Sequence, residues 1–177
     1  MSGLRRLAAA LRLDLGMGLR HLVLVSVAGS ALVPRPVRWA IYRLAGLDVR
    51  TPNVFSGVRI TGRHLAVGRD TFVNHDCYLD VARGRVEIGE GCHLGPQVMV
   101  LTASHRVGDA GADRSSEYAT TRIGDRVWLG ARTTVLPGAV VEDRCVVAAG
   151  AVVTGRLAEG GVYAGVPARR IGEVAAA

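Results

Sequence analysis

The sequence contains no lysine; all 22 of its basic residues are arginine. That excludes a Schiff-base lysine, a phosphate-loop lysine and any other chemistry needing an ε-amine. Aromatic residues make up only 5% of the 177, fewer than the core of a conventional globular domain of this size would use. Cys77, Cys92 and Cys145 are the only cysteines and form no CxxC pair, so neither a disulfide framework nor a zinc knuckle is indicated. A reducing, cytoplasmic compartment is the simpler expectation. The apolar run from Leu22 to Val33 is only twelve residues, too short for a hydrocarbon core about 30 Å thick.

What the chain has instead is glycine, 23 residues, together with small and β-branched side chains. That composition suits a narrow, regularly turning β structure. The length allows one domain and one appended element. The net charge of +7 is uneven. Residues 1–50 carry eight arginines against Asp14 and Asp48, whereas residues 51–177 carry fourteen against thirteen acids. The basic character therefore belongs to an N-terminal arm, and no nucleic-acid role is expected for the domain.

In that arm Leu4, Leu7, Ala8, Leu11 and Leu15 recur at helical spacing, with Arg5, Arg6 and Arg12 off the stripe, predicting an amphipathic helix over 3–15. Val37, Ala40, Ile41 and Leu44 predict a second, with Pro36 near its start and Gly46 near its end. The long, Asp14-containing segment ahead of the apolar run does not fit a secretory signal. Residues 1–50 are expected to cap one end of the domain, with peripheral contact to the inner face of a membrane through the arginine-rich side as the second reading.

From Ile123 the chain divides without a gap into six hexads: IGDRVW, LGARTT, VLPGAV, VEDRCV, VAAGAV and VTGRLA. The first position is always aliphatic and the fifth mostly small. The same rule gives VGRDTF (67–72), VNHDCY (73–78), IGEGCH (88–93), LGPQVM (94–99) and VLTASH (100–105). The register slips at 79–87 and at 106–122. A period of six is neither helical nor simple strand alternation; it fits a short strand and a tight corner, repeated as a triangular solenoid. Each corner is expected to turn one aliphatic side chain inward. The fifth position, where three faces converge, must be small, and all three cysteines fall there as buried core residues.

The pattern aliphatic–Gly–x–x–small–x resembles the hexapeptide-repeat acyltransferases, over about Val54 to Ile171. The resemblance implies an all-β solenoid, a left-handed parallel β-helix over 51–172 with three hexads per coil. It also implies a homotrimer that uses acetyl-CoA or another acyl-CoA. The N-terminal helical segment would precede it, an extruded loop at 106–122 would interrupt it, and 173–177 would form a tail.

A polar, patternless interruption at the end of VLTASH marks an extruded loop with His105 at its root. A free imidazole, with a pKa of about 6.5, is mostly neutral at pH 7 and suits a general base. The resemblance, to maltose- and galactoside-type O-acetyltransferases, implies that role for His105. Asn74 replaces the usual second-position glycine, and the resemblance makes it an acceptor-contacting amide. It extends to Asp80 an acceptor-binding role, with Asp76 as competitor and a turn role open for either. Trp128 should face outward, as an acceptor-side residue facing the neighbouring subunit's histidine or as a plain subunit contact. Gly130, Ala131, Ala149 and Thr154 are implied along the coenzyme A groove. The ending GGVYAGVPARRIG implies Arg169, with Arg170 as substitute for a second basic position, at the cofactor's phosphates.

The expected reaction is acyl transfer from acyl-CoA to a hydroxyl of a sugar or related acceptor, without metal or covalent acyl-enzyme. The alternatives are an amine acceptor; a metal enzyme resembling the γ-class carbonic anhydrases, for which His75, His93 and His105 are available; and a non-catalytic scaffold.

Overall fold

The computed structural model describes residues 11, 14–16, 18–108 and 111–175. Short strands stack into three flat faces. Face A orders Asp48–Val49, Leu65–Val67, Arg85–Ile88, Thr120–Ile123, Val140–Val141 and Arg156–Leu157. Face B orders Phe72–Val73, His93–Leu94, Trp128–Leu129, Val146–Val147 and Gly161–Ala164, with Val54 bridging to Val73 below. Face C orders Arg59–Ile60, Tyr78–Leu79, Met99–Val100, Thr134–Val135 and Val152–Val153. Every pairing between coils is parallel, and the register repeats without slippage, as in Phe72 to His93 to Trp128 to Val146. The antiparallel strand Arg169–Glu173 closes the top of face B. The winding is a left-handed parallel β-helix.

The hexad explains each feature. The aliphatic first residue is the second residue of each two-residue strand, so it projects inward from a flat face and not from a corner, as the sequence reading had it. Leu94, Leu129 and Val147 form one such internal column, and Val100, Val135 and Val153 another, all 1% exposed or less. The fifth residue closes the corner from inside: Cys77, Cys92, Val127, Thr133, Cys145 and Ala151 are fully buried. Where threonine takes that place its hydroxyl is satisfied locally, Thr133 Oγ1 donating to Gly130 O at 2.8 Å and Thr71 Oγ1 to Gly89 O at 2.7 Å. Glycine at the second position has a steric cause. A Cβ on Gly130 would lie 2.5 Å from Ala149 N in the next coil.

The fourth position carried a signal that the hexad rule did not use. Asp70, Asp76, Gln97, Arg126, Arg132 and Arg144 all occupy it with φ of 55–60°, in the left-handed region. Such backbone is costly for any residue with a Cβ, so the corners are held by the coil-to-coil hydrogen bonds on either side. Asp76 is thereby a corner residue.

The first interruption adds three residues between faces C and A of the second coil. The second is not a patternless loop but an antiparallel hairpin, Ala103–Gly108 paired with Gly111–Tyr118, His105 opposite Ser116 and Ala103 opposite Tyr118. Its alternation is masked in the sequence because both of its faces are solvated and polar.

In the arm, the helix expected over 3–15 lies mostly outside the described residues; residues 11, 14 and 15 are helical. A π-helical turn, Leu22–Val27, buries Leu24 against the first coil. The second helix is Arg35–Leu44, but it buries Arg38 and Tyr42 and leaves Val37 and Leu44 exposed, with Ala40 and Ile41 half-buried, so the inward stripe is rotated from the expected one. The reason is hydrogen bonding. The irregular chain at 28–33 leaves carbonyls without helical partners, and the buried Arg38 guanidinium donates to Ala28 O, Ser30 O, Val33 O and Val54 O at 2.5–2.9 Å. The strand Asp48–Val49 already belongs to face A, so the solenoid begins slightly before residue 51.

Candidate active site

Each edge of the prism carries a different part of the predicted site. The hairpin leaves the solenoid after Thr102 and returns at Ala119, on the edge joining faces C and A. Thr102 is fully buried, and Asp80 holds it: Asp80 O accepts from Thr102 Oγ1 at 2.8 Å, and Oδ2 from Thr102 N at 3.3 Å and Oγ1 at 3.2 Å. Oδ1 accepts from Thr61 Oγ1 at 3.1 Å and from Ala82 N at 3.5 Å. With both oxygens committed to the chain itself, Asp80 serves as the hinge pin of the hairpin. These contacts give Asp80 a structural role, the alternative left open beside acceptor binding. Its donors are one coil away on each side, invisible at the level of local spacing.

His105 stands on the outgoing strand, exposed to solvent. The hairpin strands are locked by their own ladder and, on the far side, by Arg106 to Glu117 at 2.9 Å. The imidazole is therefore displayed on a two-stranded ribbon.

Asn74, Gly130, Ala131 and Ala149 lie on the edge joining faces B and C, with the coil of Gly95 between Asn74 and Gly130. Asn74 Oδ1 accepts from His75 N at 2.8 Å, capping its corner, so the side-chain NH2 is the group left to reach outward. Gly130 N donates to Val147 O and Gly150 N to Ala131 O, leaving a shallow track of small residues. Trp128 projects from the adjoining face B, 56% exposed, between His93 and Val146. Below it Phe55, Phe72, His75 and His93 form an aromatic row with centroid separations of 4.8–6.2 Å.

The remaining predicted contacts are not on that track. Thr154 is exposed on the edge joining faces C and A, above the hairpin. Arg169 and Arg170 are exposed on the closing strand; Arg169 Nη1 donates to Ala168 O at 3.0 Å, and Arg170 pairs with Glu173 at 3.4 Å. Arg170 turns toward a cleft of about 470 Å³ on the edge joining faces A and B, shared with Arg126 and Arg144. Those two arginines are fourth-position hexad residues, for which the six-residue rule sets no requirement. One chain thus brings Asn74, Trp128, Gly130, Ala131 and Ala149 into one neighbourhood but leaves His105 and Thr154 on another edge and Arg170 on a third.

Burial pushes the Cys77 thiol up to about 11 and raises those of Cys92 and Cys145 as well. The thiols are kept protonated and inside, which fits packing and not nucleophilic catalysis. His75 Nδ1 lies 3.0 Å from Ser56 Oγ, and His93 tilts over Phe72. Among the described residues no group of three His, Cys, Asp or Glu could hold a metal ion.

Residues 120–155 match the protein-family model described as bacterial transferase hexapeptide (six repeats). The chain is 30% identical over 114 residues to galactoside O-acetyltransferase of Escherichia coli (strain K12), a match covering 64% of this chain and 56% of that protein. It spans little more than half the length of these curated relatives. Among solved structures, maltose O-acetyltransferase from Clostridium difficile 630 superposes with a TM-score of 0.78 at 26% identity, covering 93% of this chain and 89% of that one. A galactoside acetyltransferase in complex with coenzyme A superposes with a TM-score of 0.77 at 25% identity, covering 89% and 80%.

Proposed function

We propose that this protein is an acyl-CoA-dependent O-acyltransferase, acetyl-CoA being the expected donor and a saccharide hydroxyl the acceptor. The observation that carries the reading is His105, exposed on the outgoing strand of the hairpin that interrupts the repeat. In the proposed reaction His105 takes the proton of the acceptor hydroxyl as that oxygen bonds to the thioester carbon. The tetrahedral oxyanion is held by polar groups, among which Asn74 offers a free amide N–H. The C–S bond then breaks, and the proton passes from His105 to the departing thiolate. The relatives' printed activities support oxygen over nitrogen as the attacking atom.

The reading includes a homotrimer. His105 and the Asn74–Gly130–Ala149 track lie on opposite edges of face C, so a second copy is needed to set the base of one chain against the track of another. The outward column Phe72, His93, Trp128, Val146 and Val162 is apolar except for His93, while face A shows charged pairs such as Arg122 with Glu87 at 2.9 Å. Face B therefore suits a subunit contact and face A suits water.

The reading also places the protein in the cytoplasm, at an anionic membrane surface. Leu15, Leu19 and Leu22 are 52–64% exposed, and the arm is strongly basic. No helix among the described residues is long and apolar enough to cross a membrane. Co-sedimentation with phosphatidylglycerol vesicles but not phosphatidylcholine vesicles is expected; equal recovery in the supernatant of both would reject this placement.

The deciding assay follows free-thiol release from acetyl-CoA against a panel of sugar and amine acceptors, with the molar mass measured in the same preparation. Acceptor-dependent release by a three-chain particle is expected, falling by about 10²–10⁴-fold in His105→Ala. An unaffected variant would leave a binding scaffold, and release only with amines would make the protein an N-acyltransferase.

A further inference from the structure

The two interruptions of the six-residue period are far apart in sequence but meet on one edge. A Cβ on Gly84, in the first, would lie 2.3 Å from Thr102 Cβ and 2.6 Å from Ala119 O, at the two roots of the hairpin. Arg83, beside that glycine, places its guanidinium carbon 5.5 Å from the ring centroid of Tyr118, the last residue of the hairpin. Between them is a cleft of about 290 Å³, open to solvent, with His64, Arg83, Arg85 and Tyr118 in its wall and no acidic residue.

The pleat of the hairpin connects this cleft to His105. His105 is opposite Ser116, and Tyr118 is two residues further along Ser116's strand, so His105 and Tyr118 emerge on the same face. Diagonal neighbours of this kind are about 7–8 Å apart. Arg106 and Glu117, paired with each other, occupy the opposite face. Arg85 is partly neutralised by Glu87 at 2.6 Å, whereas Arg83 has no carboxylate partner among the described residues. The edge is electropositive beyond the cleft. The Arg20 guanidinium, donating to Gly62 O at 2.9 and 3.1 Å, is held below its usual pKa by burial and then by Arg63.

We propose that this cleft is the acceptor subsite, and that it selects a saccharide bearing an anionic group, carboxylate or phosphate, about one sugar ring from the hydroxyl presented to His105. The proposal rests on His105 being the base and adds the substrate class. Arg83 supplies the charge; stacking on Tyr118 fixes its direction, as a guanidinium over an aromatic face does. A neutral sugar would leave that charge unanswered, so preference for anionic acceptors follows from the cleft itself.

The test is calorimetric titration of the full-length protein with methyl galacturonide, galactose 6-phosphate and methyl galactoside. The first two are expected to bind at least tenfold more tightly than the third, and their order identifies the preferred anion. Arg83→Gln, at an exposed position that should not disturb folding, is expected to bring the three within about twofold, and Arg83→Lys to restore part of the difference. Equal binding of all three by the unaltered protein, no binding of any, or a preference that survives Arg83→Gln overturns the proposal. His105→Gln separates it from the acyltransferase reading: it should keep the anion preference while abolishing transfer. If the unaltered protein transfers no acyl group to any acceptor yet keeps an Arg83-dependent preference, the reaction fails and the anionic subsite stands.

Discussion

The regular coils and the interrupted edge are built from similar residues and obey opposite rules. In the coils every side chain has a counterpart one turn above and below, as in the columns through Leu94, Leu129 and Val147. Contacts are repeated, so a residue's environment follows from its place in the hexad. On the edge joining faces C and A the repeat fails twice, at 81–84 and 103–118, and there contacts are unique: Asp80 to Thr102, Arg83 to Tyr118. Repetition supplies stability, and the breaks supply a place where a histidine, an arginine and an aromatic ring can face the same solvent. The stacked coils behave as a quasi-one-dimensional array that tolerates an insertion because each turn depends mainly on its neighbours.

Three changes sharpen that contrast. The largest effect on stability is expected in a coil: Leu129→Ala removes a fully buried side chain from the middle of a column and should cost about 2–5 kcal/mol in denaturant unfolding. A loss below about 1 kcal/mol would mean that the coils are not packed as a continuous core. Next is Asp80→Ala, which removes the carboxylate acceptors at the hairpin root while the Asp80 carbonyl remains, and should cost about 1–3 kcal/mol. Amide exchange should accelerate across Ala103–Tyr118 while the coil amides stay protected; uniform acceleration would show that Asp80 supports the whole solenoid instead.

The smallest effect is expected on face A. Hydrogen bonds from Arg85 and then Arg122 hold the Glu87 carboxyl below its usual pKa. A depressed folded-state value contributes stability that is present above the unfolded-state pKa of about 4.3 and is lost as pH falls through the lower folded value. The pairs are solvent-exposed and screened, so Glu87→Gln should cost at most about 1 kcal/mol at pH 7, with the difference vanishing in acid. A difference that persists at pH 3 would point to packing and not charge.

Ile123 to Ala158 shows how much local chemistry dictates here. A six-residue period with an aliphatic first and a small fifth position permits one kind of coil, because only that coil turns both positions inward. His105 was legible because it ends the last hexad before a break. The hydrogen bonds of Asp80 were not legible, because they reach Thr61 and Thr102, roughly twenty residues away on either side. The same limit applies to Arg38, whose burial depends on carbonyls from 28 to 54 that no helical pattern reveals. Periodic contacts are written into sequence because each residue meets copies of its own environment. The hairpin's strands, the edge that gathers Gly84, Arg83 and Tyr118, and the separation of His105 from Asn74 were decided only when the coils closed, since unique long-range contacts leave no period to read.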